Sequence, residues 1–131
     1  MKIAVIGAGN LGTIMATKFS KENEVRLYEK CSLEELSIFQ NDYSIYLEDE
    51  NRYYSYHIHL ITNDLAKAIE EAEYIFVTYP AFLLKGLEKE IGPLLKKGQH
   101  LVFIPGCGGN EFVFKKYLKM GITLSGLQRV H

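Results

Sequence analysis

What this chain lacks narrows its function before any motif is read. It has no excess of either charge: 15 Lys and Arg stand against 16 Asp and Glu, for a net charge of −1. A surface so balanced gives no sign of a nucleic-acid or anionic-membrane partner. No apolar run approaches the roughly 18 residues of a membrane span. Met1-Lys2 leads straight into an apolar strand-like segment, without the pattern of a signal peptide. Cysteine is scarce, and Cys31 and Cys107 form no C-x-x-C pair. Free thiols in a reducing, cytoplasmic setting are the expectation. Repeats, low-complexity tracts and linkers are absent as well. The 131 residues, 47% of them apolar, therefore read as one domain over 1–131.

The informative part is the first thirty residues, MKIAVIGAGNLGTIMATKFSKENEVRLYEK. Ile3-Ala4-Val5-Ile6 has the length and β-branching of a buried strand. Gly7, Gly9 and Gly12 follow as G-x-G-x-x-G, and Leu11, Ile14, Met15 and Phe19 then recur at helical spacing. A second strand, Val25-Arg26-Leu27-Tyr28, ends at the acidic Glu29. Strand, glycine turn, helix, strand and acid make up the context of a dinucleotide-binding fingerprint. The first glycine permits the tight turn, the second lets backbone approach a pyrophosphate, and the third lets helix and strand pack closely. The helix start offers free N–H groups and a positive dipole end to phosphate. Backbone N–H groups of Asn10 and Leu11 are the expected donors. The Asn10 side chain either bonds the ligand or caps the helix. Glu29 stands at the interval where an acid meets ribose hydroxyls, which favours NAD over NADP. The adjacent Lys30 opens the contrary possibility, a base that attracts a 2′-phosphate.

The remaining chain alternates strands and helices. Leu33 to Phe39 suggests two turns of helix. Tyr43 to Leu60, with five of the nine tyrosines, suggests a β-hairpin around the polar Glu48-Asp49-Glu50-Asn51. His57 and His59 would share a face of its second strand, but no third residue has metal-ligand spacing, so no metal site is expected. Leu65, Ala68, Ile69 and Ala72 form the buried stripe of a helix capped by Thr62, Asn63 or Asp64. A strand over Tyr74–Tyr79 follows, then a helix to about Ile91 that Gly92-Pro93 interrupts. Another strand over Leu101–Ile104, a helix from about Asn110 to Met120, and a last strand from Ile122 complete the order. Such alternation predicts an α/β fold: a doubly wound, mostly parallel Rossmann sheet in strand order 3-2-1-4-5-6, with helices on both faces and a small β-hairpin decoration. Ligands of such sheets lie beyond the carboxyl ends of the strands. That gathers the glycine turn, Glu29, Tyr79-Pro80 and Gly106-Cys107 around one crevice.

With those loops placed, the chain resembles the N-terminal domain of the opine (octopine/nopaline) dehydrogenase family. The resemblance rests on GAGNLG at 7–12, TNDLAKAIEEAEYIFVTYPAF at 62–82, GPLLKKGQHLVFIPG at 92–106 and GITLSGLQRVH at 121–131. Rossmann reductases of glycerol 3-phosphate and ketopantoate share the first motif and the strand-Pro pattern. The resemblance implies a nicotinamide cofactor and, in a full-length enzyme, reduction of the imine formed between a 2-oxo acid and an amino acid. It also implies that the catalytic histidine and its acidic partner belong to a second domain, so the catalytic residues are unknown here. The terminal His131 lacks any motif and is not assigned that role. The expectation is a fragment, a truncated product, or a protein that has lost its C-terminal catalytic domain. A homo-oligomer would then cover the apolar patch or sheet edge left open.

Within this half, Tyr79 and Pro80 either line the ribose and nicotinamide path or, for Tyr79, fill the core. The glycines around Gly106 either admit the nicotinamide or only make a flexible turn. Cys107 beside them has no histidine partner in the sequence, and hydride transfer requires no covalent nucleophile. A stand-alone NAD-sensing regulatory module, without catalysis, is the competing class. Such modules carry an acidic-threonine motif after the third strand, where this chain has Ile61-Thr62-Asn63-Asp64.

Overall fold

Strand β1 (Lys2–Ile6) forms the middle of a six-stranded parallel sheet, with all but its first residue buried. The computed structural model describes residues 1–7, 10–30, 44–49, 52–79, 81–104 and 114–126. After β1 come α1 (Asn10–Phe19), β2 (Glu24–Tyr28), and β3 (Ser44–Asp49) with β4 (Arg52–His57). Next are β5 (Leu60–Thr62), α2 (Leu65–Ile69), β6 (Tyr74–Val77) and α3 (Leu84–Ile91). Strands β7 (His100–Phe103) and β8 (Thr123–Gly126) finish the sheet. Its order is β5-β2-β1-β6-β7-β8. Counted within the sheet, that is the expected 3-2-1-4-5-6, and every pairing is parallel. The two strands on either side of the β1/β6 boundary are thus reached by opposite directions of winding, which opens a crevice at their carboxyl ends.

The sheet buries an apolar layer on each face. On one, Ala4, Ile6, Ile75, Val77, Leu101 and Phe103 pack against α2, α3 and Phe114. On the other, Ile3, Val5, Val25, Leu27 and Ile61 meet Ala16 of α1 and Ile58. Alternation along each strand sends successive side chains to opposite layers, so both periodicities read from the sequence are satisfied together. Of the stripe expected over 65–72, Leu65, Ala68 and Ile69 are buried on α2, which ends at Ile69; Ala72 is buried in the turn that follows. Asp64 is its cap, accepting from the Lys67 N–H at 3.3 Å, while the Thr62 hydroxyl accepts from the Asp64 N–H at 3.0 Å.

The tyrosine-rich segment is the expected hairpin, an antiparallel pair with Ser44 opposite His57 and Asp49 opposite Arg52. It stands apart from the main sheet. His57 and His59 do not share a strand face, because β4 ends at His57. The His59 ring nitrogen Nε2 instead lies 3.0 Å from a Glu24 carboxylate oxygen.

Two further elements differ in detail from expectation. The helix expected before β8 is of 3-10 type over Lys115–Met120, and residues 110–113 of it lie outside the described residues. Three residues per turn put Phe114 and Tyr117 on one side and leave Leu118 47% exposed. Strand β6 stops at Val77 rather than Tyr79, and at Thr78 both the backbone N–H and the hydroxyl donate to the Ile6 carbonyl. The break at Gly92-Pro93 is as expected: α3 ends at Ile91 and a 3-10 turn covers Gly92–Leu94. The helix expected over Leu33 to Phe39 lies outside the described residues. No described helix is long and apolar enough to cross a membrane.

Candidate functional site

Four strands end level with one another. The Gly7 N–H donates to the Tyr28 carbonyl at 2.8 Å, Glu29 to Thr62 at 3.1 Å, Thr78 to Ile6 at 3.0 Å, and Ile104 to Val77 at 2.9 Å. Gly7, Glu29, Thr78 and Ile104 are therefore the residues with which the chain leaves the sheet at its carboxyl edge. Gly7, Gly12, Glu29, Lys30 and Tyr79 gather around the β1/β6 boundary. Gly9, Pro80, Gly106 and Cys107 lie outside the described residues.

The glycine turn is closed too tightly for side chains. Gly7 has φ +108°, which L side chains rarely adopt. A Cβ there would run into the Thr78 hydroxyl and touch the Tyr79 ring at 3.2 Å. A Cβ on Gly12, in the first turn of α1, would overlap the Gly7 carbonyl oxygen. The first and third glycines are thus required by close packing of backbone on backbone. This is the geometry that lets a helix start beside a strand end and present its N–H groups outward. Helix α1 begins at Asn10 and carries no acidic side chain in its first turn. No acidic side chain of its own first turn neutralises the positive end of its dipole, and Asn10 and Leu11 provide backbone N–H groups at that end. These features fit a pyrophosphate held by backbone.

The sequence did not single out Thr78. Its hydroxyl donates to the Ile6 carbonyl at 2.8 Å and lies 3.4 Å from that of Gly7. It pins the last residue of β1 and the first glycine from the neighbouring strand. A hydroxyl residue ending an apolar strand carries no motif, so only the pairing of β1 with β6 reveals the role.

Beside the turn is a cleft of about 280 Å³ between the end of β2 and helix α3. Glu29, Lys30 and Tyr79 line one side, and Leu83, Gly86 and Glu90 line the other. The Glu29 carboxylate accepts from the Lys30 backbone N–H at 3.1 Å. The Lys30 ammonium lies 3.2 Å from a Glu90 carboxylate oxygen, across the cleft. Tyr79 is half-buried at the wall. Burial pushes its phenol pKa well above the ordinary value, and the Glu29 carboxylate adds to the shift. It stays a neutral hydrogen-bonding group throughout the physiological range. Tyr79 packs at the edge of the core and also lines this cleft. Glu90 and Gly86 escaped sequence reading because both look like solvent-facing positions of an amphipathic helix. Among the described residues, no group of three or more His, Cys, Asp or Glu is placed to hold a metal ion.

A parallel sheet in this order, with a glycine turn at its switch point, defines a Rossmann-type domain of the dinucleotide-binding class. The chain belongs, by a match over residues 2–108, to the family described as NAD-dependent glycerol-3-phosphate dehydrogenase N-terminus. It is 25% identical over 116 residues to an opine dehydrogenase of Arthrobacter sp. (strain 1C), covering 88% of this chain and 32% of that protein. Among solved structures, an octopine dehydrogenase with NADH and pyruvate superimposes with a TM-score of 0.80 at 20% identity, over 95% of this chain and 35% of that one. Glycerol-3-phosphate dehydrogenase from Coxiella burnetii gives 0.69 at 23% identity, over 94% of this chain and 39% of that one. The chain thus spans about a third of the length of the opine dehydrogenase it matches.

Proposed function

We propose that this chain binds NAD(H) as the cofactor domain of an opine-type oxidoreductase. The observation that carries the reading is the Gly7–Gly12 contact. The third glycine's side-chain position is taken by backbone, and α1 therefore starts directly above the carboxyl end of β1. Residues in these positions suit a dinucleotide: α1 receives the pyrophosphate, and the cleft beside it receives the adenosine. Glu29 accepts from the ribose hydroxyls and meets a 2′-phosphate with like charge, which supports NAD over NADP. Tyr79, neutral and half-buried, supplies a wall and a phenol to the same cleft. A bound nicotinamide would supply the hydride. The likeness to opine and octopine dehydrogenases supports, as the whole protein's reaction, reductive condensation of an amino acid with a 2-oxo acid. Because those relatives are about three times as long, the catalytic groups of that reaction are assigned to a second domain or partner. Strand β8 is the edge of the sheet among the described residues, and a second domain or a second copy would cover it.

Calorimetric titration with NADH tests the reading. The expected result is saturable binding, weakened about tenfold by Glu29→Ala through loss of a charge-assisted hydrogen bond. No binding by the folded wild-type chain would overturn it.

A further inference from the structure

The cleft beside the glycine turn holds a charge arrangement that the fingerprint does not require. Lys30 comes directly after Glu29, at the end of β2, where a base would meet a 2′-phosphate. Its ammonium is instead directed across the cleft to Glu90 in the last turn of α3, at 3.2 Å. The pair joins two elements sixty positions apart in sequence. Both side chains remain largely exposed, at 75% for Lys30 and 45% for Glu90. An exposed pair of this kind adds little to stability. Its consequence is therefore electrostatic and local. With Glu90 present the described rim carries two carboxylates and one ammonium, a formal charge of −1, and the ammonium is occupied.

Resting on the dinucleotide reading of this cleft, we propose that Glu90 is a specificity-determining residue that withholds Lys30 from a 2′-phosphate. Glu29 discriminates by hydrogen bonding the free ribose hydroxyls. Glu90 discriminates by engaging the rim ammonium that would otherwise neutralise a phosphate. A 2′-phosphate brings nearly two further negative charges, so it meets repulsion from two carboxylates while the Lys30 counter-charge is already engaged. Replacing Glu90 with a neutral amide makes the rim neutral and releases the ammonium. NADPH gains from both changes, whereas NADH has no group at that position to gain from either.

The test is titration of NADH and NADPH, at low ionic strength, into the wild-type chain, Glu90→Gln, Lys30→Ala and the double variant. Glu90→Gln is expected to tighten NADPH binding about fivefold and to move NADH less than about twofold. On the Lys30→Ala background the NADPH gain is expected to shrink below about twofold, because the released cation is gone. Unchanged NADPH affinity in Glu90→Gln would overturn the proposal, and so would an undiminished gain in the double variant. These outcomes are distinct from failure of the underlying reading, in which the wild-type chain binds neither dinucleotide. Circular dichroism of each variant, expected to match the wild type, separates loss of binding from loss of fold.

Discussion

Of two clefts that flank the sheet, the larger is not the candidate site. It measures about 340 Å³ and lies beside the amino ends of β6 and β7, lined among others by Ala66, Ile69, Pro93 and Gln99. Lys67, Glu70 and Lys96 also line it, and Gln99 is turned onto backbone. The buried Gln99 amide donates to the Ile69 and Ala72 carbonyls at 3.0 and 3.1 Å and accepts from the Lys96 N–H at 2.8 Å. Arg26 adds hydrogen bonds to the Lys67 and Glu70 carbonyls near the end of α2. The smaller cleft, at the carboxyl ends, is rimmed by Glu29, Lys30 and Glu90 with a half-buried phenol in its wall. At one end Arg26 and the buried Gln99 hold the chain together, and at the other Glu29, Lys30 and Glu90 rim a cleft beside a helix start. Position in the topology, not volume, is what makes the smaller cleft the candidate.

Substitution at Gly12 should produce the largest effect and break the carboxyl-end site. Alanine is ordinarily the better helix former by about 1 kcal/mol. At Gly12 its Cβ has no room beside the Gly7 carbonyl, so Gly12→Ala should destabilise the domain by about 3 kcal/mol and abolish dinucleotide binding. Gly86, in α3, faces open space: a Cβ there would meet nothing within 4 Å. There the same exchange should raise stability by about 1 kcal/mol. Urea unfolding of the two variants checks the opposite signs. A stable, ligand-binding Gly12→Ala would mean that the turn is an ordinary strand-to-helix connection.

The amino-end cleft should respond in the reverse manner. Gln99→Ala removes three hydrogen bonds and leaves the Ala72 carbonyl and Lys96 N–H without that partner. A loss of about 2 kcal/mol is expected. Dinucleotide affinity of the folded fraction should stay within about twofold of wild type, since distant sites act independently. Unfolding curves and NADH titrations on the same sample decide the matter. A large loss of affinity at unchanged stability would erase the distinction between the two ends.

Strand order, the hairpin, and the helix stripes were legible because each rests on periodicity or on turn residues near in sequence. Gly7 and Gly12 were legible for a different reason: a close approach of backbone to backbone demands glycine at particular intervals. Thr78 and Glu90 obey no such interval. Thr78 matters because β6 lies beside β1, and Glu90 because α3 crosses near the end of β2, and both are facts of tertiary contact. The 3-10 geometry of 115–120 was hidden likewise. Its apolar residues suit a helix of either pitch, and the packing of Phe114 and Tyr117 selects the tighter one.

Helix α3 brings the comparison down to residues two positions apart, and gives the smallest expected effect. Glu90 faces the cleft, whereas Glu88 is turned inward, accepting from the Tyr117 hydroxyl at 2.7 Å and from the Lys116 ammonium. The Tyr117 phenol in turn fills the space a side chain on Gly92 would need. The Lys116 hydrogen bond first, and that of Tyr117 second, hold the Glu88 carboxyl below its ordinary pKa of 4.5. A carboxyl lowered in the folded state binds fewer protons folded than unfolded, so its contribution is present above pH 4.5 and is lost as pH falls through the folded value. Glu88→Gln should therefore cost about 1 kcal/mol at neutral pH, and the gap to wild type should close on acidification. Denaturant unfolding at a series of pH values reads this directly, and a gap that stays constant would show that the latch works by packing alone. NADH affinity should not follow it, because Glu88 is turned into the scaffold, away from the cleft that Glu90 lines.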